Sequence, residues 1–159
     1  MVKSYKTKLF VGIDPSFNST GIIVLDENAE IVDQKNFSLA KYDEIEEKLL
    51  KFEEFISFIP SIVRLGGVHI EGPSYMSKGK YVLQMGALHF LLRLYLYKRD
   101  VFFKVIAPGT LKKFVTGKGN AKKDLMLLRV YKKWGVEFEV DDLADAYGLA
   151  RMALEEHSK

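Results

Sequence analysis

Four carboxylates stand where the chain otherwise favours apolar residues. Asp14 closes the run LFVGID at a position where another valine would be comfortable. Glu71 closes a second apolar run, VHIE, directly before GPSYMSKGK. Asp142 and Asp145, in VDDLADAYGLARMAL, are spaced i, i+3, which puts both on one face near the start of a helix. If the two strand ends and the helix start converge, three or four like charges share a few ångströms, and that demands protonation or a cation. All-oxygen donors suit a hard divalent ion, and no cysteine or suitably spaced histidine cluster competes for the role. Two such ions about 4 Å apart hydrolyse phosphodiesters, one activating water and the other stabilising the leaving oxygen. Each acid also has a simpler reading. Asp141 or Asp142 could cap the last helix, and Asp14, before Pro15, could open a turn. Glu71 is the hardest to explain that way, because a lone buried carboxylate is costly unless it is paired or binds metal.

The charge distribution points in the same direction. Net charge is only +3, yet Lys98 to Lys133 carries 11 Lys/Arg against 2 Asp/Glu. Asp26 to Glu54 reverses the balance, with 10 acids against 4 lysines. So basic a segment is the usual footprint of a polyanion, although a solvated lysine-rich face has the same composition. Hydrophobic residues at 48% and charged residues at 28% are ordinary for a globular protein, so one domain over residues 1–159 is expected. The absence of cysteine excludes disulfides and thiolate metal sites and suits the cytoplasm. MVKSYKTKLF has positive charge but no apolar h-region, so it does not read as a signal peptide. The longest apolar run, VLQMGALHFLLRLYLY, is interrupted by Arg93 and falls short of a membrane span.

The elements that must position the acids follow from periodicity. Leu9 to Ile13 and Gly21 to Leu25 read as strands, the second entering a hairpin that turns at Glu27-Asn28-Ala29. Ile45, Leu49, Phe52 and Phe55/Ile56 recur at helical spacing within YDEIEEKLLKFEEFISFIP, with Pro60 marking the helix end. Val68 to Glu71 is a short buried strand, Lys80 to Lys98 a long helix, and Val101 to Ile106 another strand. Helices then follow: a short one after Pro108, a basic one over Lys122 to Trp134, and a last one from Asp141 to about Glu156. Three strands in series and then βαβ units predict an α/β fold, a mixed five-stranded sheet covered by helices on both faces.

Four of these segments, in this order, resemble the RuvC family of Holliday-junction resolvases: VGIDPSFNSTGIIVL, IEGPSYMSKG, GKGNAKKDLM and DDLADAYGLA. The likeness covers nearly the whole chain, and the short form resembles the bacteriophage-encoded members, lactococcal phage RuvC among them. It implies an RNase H-like fold, a five-stranded mixed sheet flanked by helices. It also implies a structure-specific DNA endonuclease that resolves four-way junctions, and other branched DNA, by paired nicks. Asp14, Glu71, Asp142 and Asp145 match the family's catalytic and metal-binding acids. They would hold Mg²⁺ or Mn²⁺, two ions per active site with DNA bound, for in-line attack of water that leaves a 5′-phosphate and a 3′-hydroxyl.

The same resemblance assigns DNA contacts. Lys112 and Lys123 match family lysines near the cleaved bond, Lys118 and Lys122 add charge in the same loop, and Lys78 and Tyr75 follow the second acid. Gly117 and Gly119 suit close approach of that loop's backbone to DNA. Tyr75 is similar to a family aromatic near the crossover, but EGPSYMSK carries one extra residue between acid and aromatic, and Ser16 stands where the family commonly has glycine. The family is dimeric, and the long helix is apolar on more faces than one sheet contact needs. Gly86, Leu88, Leu91, Leu92 and Tyr95 are its expected dimer face, with a buried central helix as the alternative. His69 and His89 are expected to pack in strand and helix rather than bind metal. Branched DNA, a second copy of the chain and host branch-migration proteins are the candidate partners, with no membrane. An RNA–DNA hybrid hydrolase of the same fold, a non-catalytic branched-DNA-binding module and an actin/sugar-kinase type of ATP-binding protein remain alternatives.

Overall fold

Glycine and alternation decide how this chain layers. In the computed structural model, which describes residues 7–62, 66–74 and 78–159, the five strands are β1 (Phe10–Asp14), β2 (Thr20–Leu25), β3 (Ile31–Phe37), β4 (Gly67–Glu71) and β5 (Phe103–Ile106). They lie in the order β3-β2-β1-β4-β5. The pairs β1–β2 and β2–β3 are antiparallel, whereas β1–β4 and β4–β5 are parallel. This is the mixed sheet expected from the element order. The helices are α1 (Ile45–Ile56), α2 (Ile59–Ile62), α3 (Lys80–Tyr97), α4 (Pro108–Thr116), α5 (Lys123–Trp134) and α6 (Asp141–His157).

Period-2 alternation divides the strands between two cores. Leu9, Val11, Ile13, Ile22, Val24, Val68 and Ile70 face one side of the sheet, where they pack with Phe52 and Ile56 of α1 and Leu88, Leu92 and Leu96 of α3. On the other side Ile23, Leu25 and Ile106 meet Leu111 and Val115 of α4, Met126 and Val130 of α5 and Tyr147 of α6. Each fully buried aliphatic or aromatic side chain contributes about 1.5–3 kcal/mol relative to exposure. Both cores are therefore needed to hold the sheet between its helices.

Helix α6 lies directly against the sheet because two glycines let it. A Cβ at Gly12 would come within 1.8 Å of the Ala146 carbonyl oxygen, and one at Gly21 within 2.4 Å of the Asp142 carbonyl oxygen. Backbone-to-backbone approach at these two points draws the first turns of α6 over the ends of β1 and β2. The parallel register, with Ile13 beside Ile70, leaves Asp14 and Glu71 next to each other at adjoining strand ends. The acids named above are thus delivered to one end of the interior strands β1 and β4.

Two expectations need correction. Pro60 does not terminate the first helix: α1 stops at Ile56, and Pro60 stands in the first turn of α2, where its missing N–H has no helical partner to lose. In α3, Leu88, Leu92 and Tyr95 face the core at 0%, 0% and 7% exposure, and Leu91 packs half-buried against the same cluster. Those leucines therefore cover the sheet and are not available to a second copy. The outward stripe of α3 is a different set, Leu83, Phe90, Leu94 and Tyr97, exposed by between 51% and 78%. Gly86 lies along it with open space where a Cβ would be.

Candidate active site

Asp14 from β1, Glu71 from β4 and Asp145 from α6 each place a carboxylate oxygen so that all three lie within 4.8 Å of one another. Asp142 stands beside this trio, one helical turn before Asp145, and lines the same cleft. The simpler readings of the acids do not hold. The residue flanking α6 is Val140, with no side-chain cap, so neither Asp141 nor Asp142 serves as the N-cap. The turn after β1 is closed by Ser16 and Thr20: the Ser16 N–H donates to Thr20 Oγ1 (3.0 Å), which donates back to the Ser16 carbonyl (2.7 Å).

Crowding and burial set the acids' protonation. Burial pushes the Asp14 carboxyl well up, aided by the charges of Glu71 and Asp145 and by hydrogen bonding to Glu71. Burial also raises Glu71, against the hydrogen bond from Asp14 and the nearby Lys112 ammonium. The Asp145 carboxyl is pushed up to about 7, first by burial and then by Glu71, Asp141 and Asp142. Its Oδ1 is sealed from solvent with no hydrogen-bond partner among the described residues. Three buried oxygen donors, mutually repelling when ionised, and one orphaned oxygen fit a hard divalent cation.

A pH dependence follows with a definite sign. Groups whose folded-state pKa is raised favour folding at low pH, and that contribution is lost as pH rises from about 4 through the folded value, about 7 for Asp145. Metal-free protein is therefore expected to be less stable at pH 8 than at pH 5.5. Asp145→Asn should recover on the order of 2–4 kcal/mol at pH 8. Denaturant titrations in a chelator, repeated with Mg²⁺, measure this; equal stability at the two pH values without metal contradicts the crowded cluster.

The surrounding cleft has a volume of about 410 Å³. Lys112 of α4 and Lys123 of α5 line it together with Pro15, Ser16, Pro73 and Ser74. Lys123 forms an ion pair with Asp141, which keeps its ammonium charged. Lys118 and Lys122 lie exposed in the loop between α4 and α5, and Lys78 is exposed just before α3. None of these three lines the cleft. Gly117 is the residue that ends α4, and Gly119 sits close to Gly109. Tyr75 lies outside the described residues.

Sequence reasoning missed two cleft residues. Asp141, read only as a possible cap, instead pairs with Lys123, and both line the cleft. His89, expected to be a packing residue, is buried as anticipated but also lines the cleft, beside Tyr81, Val82 and Met85 on the α3 wall. The i, i+4, i+8 spacing of Tyr81, Met85 and His89 on one helix was the available signal.

A sequence model described as crossover junction endodeoxyribonuclease RuvC matches residues 10–152. The chain belongs to the RuvC family. Among curated relatives, the RuvC of Sulfurovum sp. is 28% identical over 149 residues, covering 88% of this chain and 91% of the relative. That of Chlamydia felis is 26% identical over 152 residues, covering 91% and 90%. Among solved structures, Thermus thermophilus RuvC superposes with a TM-score of 0.76 at 17% identity, covering 94% of this chain and 96% of that one. Its complex with a Holliday junction substrate gives 0.76 at 18% identity, covering 90% of each chain. The yeast mitochondrial Holliday junction resolvase Ydc2 gives 0.65 at 14%, covering 99% of this chain and 82% of that one. The chain therefore shares its fold with all three.

Proposed function

We propose that this RuvC-family chain, as one nuclease domain over residues 1–159, is a DNA endonuclease that resolves four-way junctions by metal-dependent hydrolysis. The observation that carries the reading is the convergence of Asp14, Glu71 and Asp145, with Asp142 beside them, in a cleft lined by Lys112 and Lys123. The relative solved with a Holliday junction substrate supports the substrate class.

Asp14, Glu71 and Asp145 would hold the divalent ions, Mg²⁺ or Mn²⁺, two with DNA bound, and Asp142 would complete the set. When bound, such ions activate water for in-line attack on phosphorus and stabilise the leaving 3′ oxygen. The remaining work falls to the protein. Asp14 and Asp145, whose carboxyls burial and neighbouring acids push up, would have to be ionised to hold the ions. Lys112 and Lys123 hold the scissile phosphate from the α4–α5 side, while Lys118, Lys122 and Lys78 meet flanking phosphates. Affinity resting on such contacts is sequence-tolerant and falls steeply with salt. Tyr75 is assigned a stacking role at the crossover, which contributes about 1–3 kcal/mol where a base lies on an aromatic ring.

A junction has near two-fold symmetry, so a homodimer about a two-fold axis would set two clefts on opposed strands. The exposed stripe of α3 supplies the face for it. Leu83, Ala87, Phe90, Leu94 and Tyr97 are spaced 4, 3, 4 and 3 residues apart, the seam of two helices packed lengthwise. No helix among the described residues is long and apolar enough to cross a membrane, and the proposed site of action is the cytoplasm. The short form of the chain is in keeping with a bacteriophage-encoded member that also accepts forks, acting in the host cytoplasm beside host branch-migration proteins.

The substrate is tested by offering the protein, in Mg²⁺, a four-way junction, a fork, a linear duplex and an RNA–DNA hybrid. The junction and fork should be cut and the linear duplex spared. Cutting of the hybrid alone moves the assignment to a ribonuclease. Tight junction binding without cutting, in either Mg²⁺ or Mn²⁺, leaves a branch-recognition module.

A further inference from the structure

His89 is 4% exposed, yet its ring forms part of the wall of the acid-lined cleft. Its Nδ1 is sealed from solvent with no hydrogen-bond partner among the described residues. Burial and the Arg93 guanidinium one turn along α3 lower the imidazole to about 4, with no carboxylate opposing them. The ring is therefore neutral at working pH and carries a single proton. A buried N–H without an acceptor costs more than a buried lone pair without a donor, so the proton belongs on Nε2 and Nδ1 keeps the lone pair. A neutral donor fixed by a helix in the wall of a nuclease cleft has an evident use.

We propose that His89 is a DNA-positioning residue whose Nε2–H donates a hydrogen bond to the strand entering the cleft along the α3 wall. The inference rests on the nuclease reading above. The acceptor is an oxygen or nitrogen of the nucleotide beside the scissile bond, supplied either by its phosphate or by a base edge. Lining the same cleft as Lys112 and Lys123 but from α3, His89 gives the strand a second, uncharged point of attachment. Two points carried by different helices fix the strand's rotation, which one cluster of lysines does not.

The test compares His89→Gln, which keeps an N–H donor, with His89→Phe, which keeps the ring volume without one. Single-turnover cleavage of a junction panel differing in sequence at the crossover is the readout. His89→Phe should cut about tenfold more slowly, and His89→Gln should stay within about threefold of wild type. A loss that is uniform over the panel identifies a phosphate acceptor, and a loss confined to some sequences identifies a base edge. In the wild-type protein, ¹⁵N-labelled imidazole resonances should show the Nε2–H tautomer at pH 7 and a shift of that nitrogen when junction binds in Ca²⁺. This measurement does not depend on either variant folding. An Nδ1–H tautomer, or equal rates for His89→Phe and wild type, overturns the proposal while leaving junction cleavage intact. Wild-type protein that cuts no junction defeats the underlying reading instead, and an Nε2 shift on junction binding would then still place His89 at the DNA.

Discussion

Asp14→Asn is expected to slow single-turnover cleavage of a four-way junction in Mg²⁺ by roughly 10³-fold, while junction affinity stays within a few-fold of wild type. The size follows from charge. Metal-assisted stabilisation of the developing oxyanion is worth several kcal/mol, and each 1.4 kcal/mol lost is about tenfold in rate. Asp14 sits at the centre of that stabilisation, with a carboxylate oxygen within 4.8 Å of one from both Glu71 and Asp145. Affinity is spared because binding rests on lysines, and removing a buried negative charge does not weaken their hold on phosphate. The same substitution should stabilise metal-free protein at pH 8, since burial and like charges raise the Asp14 carboxyl and an amide has no charge to bury. Loss of activity with a gain in thermal stability separates a catalytic defect from misfolding. A variant that retains a tenth of wild-type cleavage, or that melts earlier than wild type without metal, contradicts the assignment.

Charging the outward stripe of α3 should have the second-largest effect. Phe90 and Leu94 are 64% and 51% exposed and lie one turn apart, midway along the Leu83–Tyr97 seam. Truncating a buried aromatic or aliphatic anchor at the centre of an interface costs about 2–4 kcal/mol, and a buried unpaired charge adds to it. Phe90→Glu with Leu94→Glu is therefore expected to weaken self-association by roughly 10³-fold or more. Sedimentation velocity at micromolar protein should then show a monomer, and nicks on the two opposed junction strands should lose their pairing. Stability should change little, because neither side chain belongs to the core of the chain itself. If the doubly charged protein remains dimeric and cuts both strands in concert, the dimer lies on another face. Leu88→Glu offers no such test: that side chain is fully buried, so the change would unfold the protein.

How much of this was readable beforehand depended on the kind of information each feature carries. Asp14 and Glu71 were legible because a carboxylate ending a run of strand residues is out of place on its own, and both sit at strand ends in the structure. Asp142 and Asp145 were legible from their i, i+3 spacing. The element order was legible because strand and helix periods differ and β4 and β5 are separated by one long helix. What was not legible required knowing what lies opposite. Helix α3 is apolar around most of its circumference, so periodicity alone could not say which leucines meet the sheet. Only the packing of Leu88, Leu92 and Leu96 on β1 and β4 side chains settles it. Pro60 reads as a stop in the sequence, but proline tolerates a first turn as readily as it ends a helix. Asp141 pairs with Lys123, a partner 18 residues away that helix spacing could not suggest. The cost of the unpartnered Nδ1 of His89 likewise appears only once its surroundings are known.

One measurement bears most directly on the whole account: incubation of wild-type protein with an immobile four-way junction in Mg²⁺, with nicks mapped on all four strands. The account predicts metal-dependent nicks at symmetric positions on two opposed strands, each with a 5′-phosphate and a ligatable 3′-hydroxyl. No nicks in Mg²⁺ or Mn²⁺ despite junction binding, or nicks that persist in a chelator, would contradict the claim that Asp14, Glu71 and Asp145 form a metal-dependent resolving site.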